Sequence, residues 1–199
     1  AYQVRHARWK KVVELFVLFP VQASIPARPS LSAEAKGGGR GEGGGRGGAV
    51  SGVSTVLDLP LPNNGDYGQL PVEVLMAALC LVCRLVAGVS SYLGVQLPHP
   101  LFPSASPNYA TVAANRSGKE RRAGGGGGAV QYPLCPPSKL AESGVMGAGS
   151  SAVCSSAEAF ETALDLLRSD VVHLCIESAG VPVDKLWPAE ALLLNLWEL

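Results

Sequence analysis

The chain has 199 residues in which 16 Lys and Arg balance 16 Asp and Glu; 47% of it is hydrophobic and only 6% aromatic. That length suits one domain with a short appendage and excludes a large multidomain enzyme. A net charge of zero excludes a general nucleic-acid-binding composition.

Neutrality hides an asymmetry. Residues 1–48 carry 8 Lys and Arg against 3 Asp and Glu, whereas residues 123–199 carry 3 against 9. A basic end of this kind predicts an acidic counterpart. Of the 24 glycines, 14 fall in two tracts, 37–48 and 124–128, so the remainder is near ordinary globular composition. Five cysteines, at 80, 83, 135, 154 and 175, are an odd number without regular spacing, which reads as a reducing compartment. The first apolar run, 12–21, contains Glu14 and ends in Phe19-Pro20, unlike a secretory leader. Beginning at Ala1 and stopping at Leu199 inside an apolar run, the chain reads as part of a longer protein.

Residues 2–19 space Trp9, Val12, Val13, Phe16 and Phe19 at three to four, with Arg5, Arg8, Lys11 and Glu14 elsewhere round the turn. That is an amphipathic helix ending before Pro20. Residues 24–48 are rich in Pro, Ala, Ser, Gly and Arg and cannot bury enough apolar surface to offset ordering entropy, so they read as a linker. Order resumes at Ala49: Val50, Val53, Val56, Leu57, Leu59 and Leu61 predict a strand running into a turn at 62–66.

Pro71 opens the next helix, whose stripe of Leu75, Leu79, Val82, Val86, Val89 and Leu93 is widened by Val74, Leu81 and Leu85 until Gly94 stops it. An apolar circumference predicts a buried central helix. Its uninterrupted apolar run, 74–83, is too short to span a bilayer before Arg84 breaks it. Residues 95–102, 109–114 and 130–135 read as short strands, 116–128 as a low-complexity insertion and 136–154 as loop. Ser155 and Glu158 form a capping box for a second helix, with Phe160, Leu164, Leu167, Val171 and Leu174 as its stripe and Gly180 as its stop. Leu186-Trp187-Pro188 and a short apolar helix over 189–199 close the chain.

Candidate chemistry does not assemble. Cys80 and Cys83 have the spacing of a metal or redox pair but lie inside an apolar helix with no second pair to match. His173 and Cys175, two apart on a helix, diverge too far to act as base and nucleophile. Gly43, Gly45 and Gly48 fit a dinucleotide fingerprint only formally, since no strand precedes them and no helix follows. No Gly-Lys-Ser/Thr follows either tract. Arg40 and Arg46 among glycines suggest an RNA-binding adaptor, with a solvated linker as the simpler reading. Asn115-Arg116-Ser117 would be a glycosylation acceptor only in a secreted protein. His6 and His99 are far apart. No catalytic residue, cofactor site or metal site is assigned.

Segment order says more. The stretch Arg5-His6-Ala7-Arg8-Trp9-Lys10-Lys11-Val12-Val13-Glu14-Leu15-Phe16-Val17-Leu18-Phe19-Pro20-Val21 looks like a coiled coil running into a strand. It is followed by Leu59-Pro60-Leu61-Pro62-Asn63, then Ser91-Tyr92-Leu93-Gly94-Val95-Gln96-Leu97-Pro98-His99-Pro100, Tyr132-Pro133-Leu134, Phe160-Glu161-Thr162-Ala163-Leu164, and Leu186-Trp187-Pro188 through Leu194-Asn195-Leu196-Trp197. This succession resembles the C-terminal domain of the UVRAG, Vps38 and Barkor (autophagy-related protein 14) family, non-catalytic subunits of class III phosphatidylinositol 3-kinase complexes.

The resemblance implies an α+β fold: a small, mostly antiparallel sheet packed by two long helices and preceded by the end of a coiled-coil helix. It divides the chain into that helix (1–19), a strand start and Gly-rich linker (20–48), and a C-terminal domain (49–199) with an insertion near 116–128. Implied partners are a Beclin-type subunit through the coiled coil, the lipid kinase with its pseudokinase-type regulatory subunit, and a membrane surface, with no nucleic acid. The implied location is cytoplasmic, peripheral on endosomal or autophagosomal membranes. Trp9, Val13 and Phe16 are the expected seam residues. Arg116, Lys119, Arg121 and Arg122 are candidate membrane contacts, as are Trp187 and Trp197, for both of which packing in the core is the simpler expectation. The competing function classes are a small redox or metal-binding protein using Cys80 and Cys83, and an Arg-Gly RNA-binding adaptor.

Overall fold

The computed structural model describes residues 2–24, 52–103, 110–114, 130–136 and 157–199. Most of the linker, the insertion at 116–128, most of the 136–154 loop and Ser155 of the capping box lie outside the described residues. The order is α1 (Tyr2–Leu18), β1 (Val21–Gln22), β2 (Val53–Val56), β3 (Leu59–Pro62), α2 (Val72–Leu93), β4 (Leu101–Pro103), β5 (Ala110–Ala114), β6 (Val130–Pro133) and α3 (Ala157–Leu174). A π-helical turn (Cys175–Ala179), a 3-10 turn (Val183–Lys185) and α4 (Leu192–Trp197) complete it. The fold is α+β, as expected, but with two three-stranded antiparallel sheets, β1-β2-β3 and β4-β5-β6, where one was expected.

α2 is the axle. Proline at 71 presets the entry φ at −55°, and Gly94 takes the left-handed φ of 72° that lets its N–H reach Ser90 O at 2.8 Å. By length and composition α2 could cross a membrane. Its packing is instead that of a core helix: Leu79, Val82, Val86 and Val89 are 0% exposed, and α1, α3 and strands of both sheets lie against it. Burying each such side chain contributes about 1.5 to 3 kcal/mol. α3 lies across β5 and β6 and buries the whole expected stripe, Phe160, Leu164, Leu167, Val171 and Leu174. Its last turn widens into the π-helical turn, and Gly180, at φ 65°, ends it.

The apolar run from Val53 folds as a hairpin rather than one strand. Leu57 and Asp58 take φ of 48° and 63°, reversing the chain so that Val56 pairs with Leu59 and Val53 with Pro62. Two consecutive positive φ values give the turn the twist a two-residue hairpin needs, although neither residue is glycine or asparagine. A buried polar knot fastens the hairpin to the end of β1: Ser54 Oγ donates to Asn63 Oδ1 at 2.9 Å, and Asn63 Nδ2 donates to Ser24 O at 3.4 Å.

The strand expected over 95–102 shrinks to Leu101–Pro103, because Pro98 and Pro100 have no N–H to give a ladder. Prolines also guard the open edges. Asn63 N–H bonds Gly52 O, so by alternation Pro60 and Pro62 turn their nitrogens to the outer side of β3. The bonds Ala113 N–H to Pro100 O and Leu134 N–H to Ala110 O do the same for Pro103 on β4 and Pro133 on β6. A foreign strand meets missing donors at each of these edges, which leaves the helix faces as the better places to dock.

Candidate docking surfaces

α1 is amphipathic in a different sense from the one expected. Val12, 1% exposed, points into the core, and Trp9, Leu15, Phe16 and Phe19 pack against it. The approach is close: a Cβ on Gly88 of α2 would stand 2.8 Å from Leu15 Cδ2. Thus Trp9 and Phe16 of the expected seam are partly buried against the chain's own core, whereas Val13 faces out at 60% exposure. Val17, one turn on, is 73% exposed, and Leu18 67%. Sequence reading missed these two, though the spacing of four between Val13 and Val17 was its available signal. Lys10 and His6 are exposed on the same helix, and Lys11 pairs with Glu14 at 2.6 Å on its surface. This pairing, led by the hydrogen bond between them, raises the pKa of Lys11 and lowers that of Glu14.

Where α1 meets the end of α2, Arg8 Nη1 donates to Leu93 O at 3.1 Å, setting a cation against the negative end of the helix dipole. A groove of 580 Å³ opens there between Val4, Arg8 and Trp9 of α1, Leu93 and Val95, and Glu177 and Ser178 of the π-helical turn. Ser178 Oγ donates to Leu174 O.

The two C-terminal tryptophans part company. Trp187 is half-buried in a hydrogen-bonded knot: Asn195 Oδ1 accepts from its N–H at 2.9 Å, and Asn195 Nδ2 donates to Trp187 O at 3.2 Å and Pro188 O at 3.3 Å. Trp187 Nε1 donates to Glu198 Oε1 at 3.0 Å. Trp197 is 53% exposed, against the expectation that it packs in the core. The reason is the phase of α4, whose short turn directs Leu192, Leu193, Leu194 and Leu196 inward and leaves Trp197 out. Arg116, Lys119, Arg121 and Arg122 lie outside the described residues.

Cys80 and Cys83 are both buried in α2. Burial pushes the Cys83 thiol far up, with Cys80 and Asp170 adding to the shift. Burial, helped by Glu198, also pushes the Cys175 thiol up to about 12 while its Sγ donates to Asn195 O at 3.2 Å. Such thiols are neutral and poor nucleophiles. Among the described residues no group of three or more His, Cys, Asp or Glu is placed to hold a metal. What these surfaces offer is contact: an uncovered apolar flank on α1, a groove beside it, and an exposed tryptophan at the far end of the chain.

No curated protein matches the chain significantly. The family model described as vacuolar sorting 38 and autophagy-related subunit 14 matches residues 4–199, a span that includes both sheets and nearly all of α1. The chain therefore belongs to the vacuolar sorting 38 and autophagy-related subunit 14 family, a family of autophagy subunits of a phosphatidylinositol 3-kinase complex.

Proposed function

We propose that this chain is a non-catalytic scaffold subunit that positions a class III phosphatidylinositol 3-kinase on membranes in autophagy or endosomal trafficking. The observation that carries the reading is the outward flank of α1. Val13 and Val17 stay 60% and 73% exposed while Trp9, Val12, Leu15 and Phe16 of the same helix pack inward. Two β-branched residues one turn apart on a helix whose other side is occupied suit a second helix better than they suit water. A Beclin-type subunit is the proposed occupant, with the lipid kinase and its pseudokinase-type regulatory subunit as further partners in the assembly. Trp9 and Phe16 then support the seam from behind, by holding α1 on the domain.

Trp197 is the proposed membrane contact, with Trp187 fixing its neighbourhood and Arg116, Lys119, Arg121 and Arg122 adding attraction to anionic lipid. An amphipathic aromatic ring and basic side chains are each what a headgroup region accepts. The chain would work in the cytoplasm, peripheral on endosomal or autophagosomal membranes.

The test is a double substitution, Val13→Glu with Val17→Glu, measured for binding to a Beclin-type coiled-coil segment by titration calorimetry. The expected result is affinity at least tenfold weaker with an unchanged circular dichroism spectrum. Equal affinity in the folded double variant would overturn the assignment of this seam.

A further inference from the structure

Among the described residues the core contains one acid that the docking reading does not use. Asp170, on α3, is 0% exposed. Its Oδ1 accepts the backbone N–H of His99 at 2.9 Å, and its Oδ2 is buried without a hydrogen-bond partner. His99 sits in the proline-flanked connection 94–100 that carries the chain from α2 to β4, and that hydrogen bond ties the connection to α3 across 71 residues of sequence.

We propose that Asp170 is a protonation latch, its neutral carboxyl holding the 94–100 connection against α3 and its carboxylate loosening it.

The surroundings argue for the neutral form. A buried carboxylate needs a cation or several donors, and a single backbone N–H leaves one oxygen with nothing to accept. From α2 the facing titratable group is Cys83, a neutral thiol at this depth. From the connection it is His99, whose ring burial also holds toward the neutral form and whose Nδ1 is buried without a hydrogen-bond partner. On α3 itself, Arg168 is turned to Asp165 at 2.8 Å, and His173 follows three residues on. Burial raises Asp170 from 3.8 to about 7, and the His99 N–H only partly offsets this.

The sign follows from linkage. The folded acid holds its proton more tightly than the opened one, so the closed state is favoured fully below about pH 4. That advantage is lost as pH rises to about 7, by up to about tenfold in the opening equilibrium per pH unit. His99 acts in the opposite sense, because its protonation on acidification disfavours the buried ring. It therefore subtracts from the effect without reversing the Asp170 contribution. The connection also borders the groove beside α1 through Val95, so opening it would alter that surface.

Hydrogen exchange of the His99 amide, corrected for intrinsic rate, tests the latch in the whole chain from pH 5 to pH 8. The wild type should lose at least tenfold in protection across that range, while Asp170→Asn, which keeps an acceptor for the His99 N–H and cannot ionise, should show no loss of protection as pH rises, the His99 contribution alone acting in the opposite direction. Protection independent of pH in the wild type, or the same pH dependence in the variant, would overturn the proposal. Should the variant fail to fold, the carboxyl carbon shift of Asp170 in the wild type decides: a titration midpoint above pH 6 supports the latch, and one below pH 5 contradicts it.

Discussion

The side-chain amide of Asn195 forms a closed pair of hydrogen bonds with the backbone of Trp187, accepting from its N–H at 2.9 Å and donating to its carbonyl at 3.2 Å. Asn195 is 0% exposed. It is the one polar residue among Leu192, Leu193, Leu194 and Leu196, and its side-chain amide makes all three of its hydrogen bonds to the turn that precedes α4. The exposed position of Trp197 depends on this knot, because the same contact sets how α4 is rotated.

Replacing Asn195 by Ala leaves the Trp187 N–H and two carbonyls without their partner in a half-buried place. The expected cost is about 1 to 3 kcal/mol, read as a lower midpoint in urea with an unchanged slope. Trp197 fluorescence should shift along with it as α4 loses its fixed rotation.

Two valines on one helix separate core from docking flank. Val12→Ala removes two methyl-sized groups from a site 1% exposed and should destabilise the domain by about 2 kcal/mol. Val17→Ala, at a site 73% exposed, should change stability by less than about 0.5 kcal/mol. Equal effects of the two would mean that α1 does not fold onto α2 as described.

What the sequence discloses of this fold depends on whether a signal is local. The stripes of α2 and α3 and their glycine stops were readable because a buried helix face writes its period into the sequence. The hairpin at Leu57 and Asp58 was not, since neither residue advertises a positive φ and the packing around the turn holds them there. The two-sheet arrangement is equally silent, since β1 finds β2 across more than thirty residues and no local signal assigns β4, β5 and β6 to a sheet of their own. For α1, Trp9, Val12, Phe16 and Phe19 of the expected apolar stripe turn inward and Val13 does not, and a pattern cannot say whether an apolar side meets another subunit or, as with Trp9 and Phe16, the chain's own core. Asn195 carried no chemical motif at all; its place amid leucines was the only hint.

The buried thiols give a further expectation. With Cys83 held neutral by burial and Cys175 pushed up to about 12, both should resist alkylation in the folded chain at neutral pH and react fully once it is unfolded. Mass spectrometry of iodoacetamide-treated protein checks this. Rapid native labelling of Cys83 would favour the redox class of function over docking.

The central claim is that this chain acts by holding a lipid kinase assembly together. Affinity purification of the tagged chain from cells, with the co-purifying proteins identified by mass spectrometry, tests it most directly. The expected result is recovery of a phosphatidylinositol 3-kinase and a Beclin-type subunit in near-stoichiometric amounts, both lost from the Val13→Glu, Val17→Glu variant. A folded, well-expressed chain that brings down neither would contradict it.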